Sequence, residues 1–190
     1  MKRVSALILA LFMVVGFASA QDSGLEPLMA PGDLGVSAGI GYGIFWGAMD
    51  FSGGVELMLG EFMLGDALPL TYGAAAKASY YSWNYGYGTD YIDSYLGGGA
   101  FGTLHLGLSA ANLPANLSFM ANTDWYIGLG AGFYSYTWGY SGSRTTEFRV
   151  GLRSVGGVNY FLTPKFAINV EGGYYGYGSG GGLIGVLFKL

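Results

Sequence analysis

The heptapeptide EFRVGLR, residues 147–153, sets Glu147, Arg149 and Arg153 at alternate positions among Phe148, Val150 and Leu152. Few other side chains can do acid–base or ionic chemistry, because Asp, Glu, Lys and Arg make up only 11% of the chain and His occurs once. Glu56, Lys77, His105, Glu171 and Lys189, with the amide Asn169, complete the polar set inside patterned segments. Ion pairing suits these types: Glu147, Arg149, Arg153 and Glu171 fall on two consecutive segments, and Glu56 and Lys77 on two others. A polar gate in a narrow pore would use the same residues. His105 has no Ser or carboxylate at a recognisable spacing, so it makes a poor general base, and a lone His makes a poor metal site. Zero Cys removes disulfides, thiolate ligands and Cys nucleophiles. No cofactor is implied: glycine runs such as GIGYG are followed by neither a helix nor a Lys in phosphate-loop spacing.

The elements that carry these residues follow a period of two, the signature of strands. Eight segments alternate an apolar face with a Gly/Ser/Thr face. Their apolar faces are Leu34 to Tyr42, Val55 to Leu59, Leu70 to Tyr80, Leu96 to Leu106, Trp125 to Phe133, Phe148 to Tyr160, Phe166 to Tyr174 and Ile184 to Leu190. The sixth has an irregularity at Gly156-Gly157, expected as a bulge. Every titratable residue within the segments lies on the Gly/Ser/Thr face. A soluble sandwich would turn its charged face outward and carry more charge. A crowded polar interior with hydrocarbon outside matches the pattern instead.

Composition agrees. Gly is 36 of 190 residues, aromatics are 17% and hydrophobics 52%, against about 7% Gly in ordinary domains. Met1-Lys2-Arg3, an apolar stretch from Val4 to Phe17 and Ala18-Ser19-Ala20 have the layout of a cleavable signal peptide, residues 1–20. With Lys2 and Arg3 removed, six basic residues face twelve acids, net −6, which excludes a nucleic-acid binder. Residues 21–33 are then a periplasmic lead and 34–190 the single domain.

Strands facing lipid must satisfy their backbone groups laterally, so the sheet must close. The fold class expected is all-β: an eight-stranded antiparallel up-and-down transmembrane barrel with both termini in the periplasm. Outward aromatics sort into two girdles, Tyr42, Tyr80, Phe148 and Tyr174 at one end and Trp125, Tyr160, Phe166 and Phe188 at the other. Pro27, Pro31, Pro69, Pro114 and Pro164 fall in the lead or the periplasmic turns. The outer loops are expected near 44–53, 82–93, 138–146 and 176–182. Their Tyr/Trp/Gly content makes Trp46, Trp83, Tyr85, Tyr87, Tyr91, Trp138 and Tyr140 candidate contact residues, since Tyr offers area at low entropic cost.

The strand opening DWYIGLGAGFY (124–134), the hairpin VNYFLTPKFAINVEGGYYG (158–176) and the terminal LIGVLFKL (183–190) resemble the small eight-stranded outer-membrane barrels of diderm bacteria, the OmpA/OmpX/opacity-like group. That resemblance implies an outer-membrane address, lipid as surroundings, and a C-terminal strand (Ile184, Val186, Phe188, Leu190) read by the barrel-assembly machinery. The terminal residue departs from the group's usual Phe. The function expected is structural or surface interaction through short outer loops touching a host or envelope ligand, without catalysis. A narrow porin-like channel is the alternative, and a lipid-modifying barrel enzyme the remote one.

Overall fold

The computed structural model describes residues 26–42, 49–64, 68–84, 91–109, 113, 115–174 and 180–190. The expected signal peptide lies outside these residues. The strands are β1 (Leu34–Tyr42), β2 (Met49–Leu64), β3 (Leu68–Asn84), β4 (Tyr91–Gly107), β5 (Thr123–Tyr140), β6 (Ser143–Thr163), β7 (Phe166–Tyr174) and β8 (Gly180–Lys189), with a 3-10 helix at Ala115–Met120. All neighbours are antiparallel and β8 pairs back on β1, closing the barrel. We call the end where β1 starts and β8 finishes the base and the opposite end the rim.

The stagger can be read from the ladder. From Ser52 the paired residues run through Gly39, Gly185, Asn169, Asn159 and Asp124 to Gly107. In the other direction they run through Ser79 to Gly97. One circuit therefore returns to β4 ten residues away. Strand number and stagger together fix tilt and width, and eight strands leave an interior that side chains can fill.

The alternation holds throughout. Leu129, Val150, Leu152, Val170 and Ile184 face outward, Leu152 being 73% exposed. Glu56, Arg153, Asn169 and Glu171 face inward and are buried. β6 runs through Gly156-Gly157 in unbroken register with β5 and β7, so the expected bulge is not there. The register shifts lie instead at Met58/Gly60 and Phe161/Thr163, near the base. Two glycines do not need a bulge; here Gly157 leaves room for the Tyr126 ring, which a Cβ would meet at 2.7 Å. Leu70 and Leu106 have lipid-facing parity yet are buried, because Met120 of the 3-10 helix covers them.

The strands also outrun the loop boundaries expected from composition. About 9–11 residues cross a membrane, whereas β3 and β4 have 17, β5 has 18 and β6 has 21. Positions 82–84, 91–93, 138–140 and 143–146 are strand, and β5 and β6 join through a two-residue turn at Ser141-Gly142. Gly139 there has φ +130°, and an added Cβ would meet the Ser143 carbonyl at 2.3 Å. A four-stranded extension of β3 to β6 thus rises above the Tyr80 and Phe148 girdle.

Candidate functional site

The lumen has three storeys. At the base, Met58, Phe161, Ala167 and Leu187 point inward and Met29 of the lead packs among them, all at most 4% exposed. The lead is therefore a stopper. It is held by Leu28 N–H donating to the Gly107 carbonyl at 3.0 Å and by a reciprocal pair, Gly32 N–H to Met58 O and Met58 N–H to Asp33 O. Lys189 Nζ donates to the Leu28 carbonyl at 2.8 Å and lies 3.0 Å from Asp33 Oδ2.

Above the stopper lies a continuous polar network. His105 Nδ1 faces Asp124 Oδ2 and His105 Nε2 faces Glu56 Oε1, each at 2.9 Å. Thr103 donates to Glu56 as well. Asn159 Nδ2 donates to Asp124 Oδ2 at 2.9 Å, and Asn169 Nδ2 donates to Asn159 Oδ1 at 2.7 Å and to Tyr126 Oη at 3.0 Å. Tyr126 donates to Glu171 Oε2 at 2.5 Å, and Lys77 closes the chain on the same carboxylate. The Tyr126 ring stacks on His105, centroids 5.2 Å apart, and Lys77 Nζ sits 5.0 Å from its centre. A ring that donates from both nitrogens satisfies both carboxylates. The three acids Glu56, Asp124 and Glu171 thus meet Lys77 and His105.

The third storey reaches the rim. Tyr81, Tyr95 and Tyr134 stack in sequence at 5.7 and 6.0 Å, with Arg153 Cζ 5.4 Å from the Tyr134 centroid. Tyr136 stacks on Trp138 at 5.0 Å, and Tyr91 meets Tyr140 edge-on at 5.1 Å. These residues keep lumen-facing parity, so the inner wall continues upward as an aromatic surface once the strands leave the membrane. Trp83 and Tyr140 are exposed there.

Sequence reasoning placed Glu56, Lys77, His105, Arg153, Asn169 and Glu171 in the interior, and all six line it. Its pairings differ from the structure. Lys77 reaches across the lumen from β3 to Glu171 on β7, not to Glu56 on β2. Arg149 shares the inward parity but lies level with the Phe148 girdle, opposite Tyr134, where its side chain is 68% exposed and paired with Glu147 at 2.5 Å. Neither residue belongs to the buried cluster. Trp83, Tyr91, Trp138 and Tyr140 stand on strands rather than loops. Trp46, Tyr85 and Tyr87, and the side chains of Tyr42 and Tyr174, lie outside what is described. Outward Tyr80, Phe148, Trp125, Tyr160 and Phe188 are exposed, and Phe166 packs on Phe188 at 5.0 Å. Asp124, Tyr126 and Asn159 were missed as network members. Their signal was parity: each lies an even number of steps from a residue already assigned inward.

No family model and no curated protein matches the chain. Solved structures do. The N-terminal barrel of Pseudomonas aeruginosa OprF aligns at 14% identity over 84% of this chain and 98% of that one, TM-score 0.54. Ail, the attachment invasion locus protein of Yersinia pestis, aligns at 10% identity over 83% and 95%, TM-score 0.50. The fold is that of the small eight-stranded outer-membrane β-barrels. At such identities the likeness is one of fold.

Proposed function

We propose that this protein is an integral outer-membrane barrel that acts by binding at its rim, through the aromatic wall of β3 to β6, and not by catalysis or conduction. The observation that carries this is the strand excess: four neighbouring strands project past the girdle, and Trp83, Tyr91, Tyr136, Trp138 and Tyr140 share the face that continues the inner wall. Asp93, Glu147 and Arg149 supply polar contacts on the same face. Stacked rings flanked by carboxylates and a guanidinium suit a glycan of a host or of the envelope. Ail, which shares the fold, has been crystallised with the heparin analogue sucrose octasulfate.

The Met29 stopper and the closed network argue against the channel. His105 has both ring nitrogens engaged and its side chain fully buried, which argues against an acid–base role toward any substrate. The apolar outer face calls for lipid, and the alternating β8 strand suits recognition by the assembly machinery.

The test replaces Trp83, Tyr91, Trp138 and Tyr140 with Ser in the refolded protein. Binding to a panel of envelope and host glycans should be lost while the heat-modifiable gel shift of the barrel is kept. Undiminished binding would remove the wall as the site, and steady unitary conductance in planar bilayers would restore the channel.

A further inference from the structure

Between the polar network and the aromatic wall lies a cavity of about 40 Å³, space for about three waters where one needs ~10–15 Å³. It exists because the ladder row Gly39, Ser52, Ser79, Gly97 lines it with small residues. Four charged side chains border it: Asp50, Lys77, Arg153 and Glu171. Lys77 and Glu171 satisfy each other. That leaves Arg153 and Asp50, of opposite charge, on β6 and β2, which stand four strands apart and therefore on facing walls.

Neither is fully satisfied. Arg153 is 6% exposed and donates Nη1–H to the Leu152 carbonyl at 3.2 Å, and among the described residues its Nη2 has no hydrogen-bond partner. Asp50 Oδ1 is likewise buried without a partner among the described residues. A buried guanidinium nitrogen and a buried carboxylate oxygen left without partners are unfavourable until a bound group completes them. Tyr95 also lines the cavity.

We propose that this cavity binds a small zwitterion, with its carboxylate on Arg153 and its ammonium on Asp50. The four bordering charges sum to zero, so a ligand of net charge would unbalance the site. A molecule carrying one charge of each sign completes both walls at once. The site uses residues below the wall proposed to bind at the rim and does not depend on that reading.

The experiment uses the refolded protein in detergent micelles. Side-chain ¹⁵N–¹H spectra report on only three arginines after residue 20, Arg144, Arg149 and Arg153, and Arg153→Lys assigns the signal. Glycine, β-alanine and γ-aminobutyrate scan the charge separation; acetate, methylammonium and glycerol are the single-function controls. At least one zwitterion should shift the Arg153 signal saturably. Arg153→Gln and Asp50→Asn should each weaken its affinity, followed calorimetrically, by about tenfold or more, the loss of one charge-assisted hydrogen bond. The heat-modifiable gel shift checks that both variants stay folded, and Arg153→Lys serves if Gln does not fold. Acetate binding as tightly as the best zwitterion would overturn the ligand class. No saturable shift with any compound, or affinity indifferent to Asp50→Asn, would overturn the site.

Discussion

Replacing Lys77 with Met keeps the aliphatic stem and removes the ammonium that bridges the lumen to Glu171. The two side chains are 13% and 6% exposed, so the partner left behind is a carboxylate with little access to water. Breaking a buried pair from one side costs about 3–5 kcal/mol. The lower end applies here, because Glu171 keeps the Tyr126 hydroxyl at 2.5 Å and Lys77 is not wholly sealed. A loss of about 3 kcal/mol moves a urea midpoint down by about 1–3 M, readable by tryptophan fluorescence in lipid vesicles. Glu171→Gln should cost a similar amount. The double variant should recover much of the loss, leaving a coupling of about 1–3 kcal/mol, since two neutral groups meet where two charges did. If Lys77→Met costs less than about 1 kcal/mol and the two substitutions simply add, the cross-lumen pair is not holding the barrel together.

Two further substitutions probe the walls. Leu129→Arg puts a charge on a lipid-facing site that is 66% exposed and should cost about 2–4 kcal/mol in vesicles, against about 0–1 for Tyr140→Arg at the rim; equal costs would mean that hydrocarbon does not cover Leu129. Gly130→Ala should destabilise by about 1–3 kcal/mol, because its Cβ would meet the Ala100 carbonyl at 1.9 Å, whereas nothing lies within 4 Å of one at Gly142; a neutral Gly130→Ala in the same urea assay would show that β4 and β5 approach less closely.

Strand number and facing were legible because lipid imposes one rule on every segment. A residue such as Val150 must contact hydrocarbon, which sends its neighbours inward whatever their charge. Cross-lumen partnership was not legible. It depends on the ten-residue stagger, which local sequence does not encode, so Lys77 was matched with its neighbour Glu56 when Glu171 lies opposite. The rim was misread for a different reason. In YYSWNYGYGTDYIDSY every aromatic after Tyr80 keeps one parity, but the positions between them are mostly polar or Gly, because strands that have left the membrane no longer need an apolar outer face. Gly and Ser there read as loop. Met29 gave no signal either, since a lone Met in a short polar lead has no periodicity to place it.

The clamp between Lys189 and the Leu28 carbonyl joins positions 161 apart, nearly the whole described chain. The cork at the bottom of the cylinder is thus gripped by the last strand of the sheet. That grip needs β8 zipped onto β1, because the closed ladder is what brings Lys189 beside Leu28. Sewing the final seam and seating the cork are therefore coupled events.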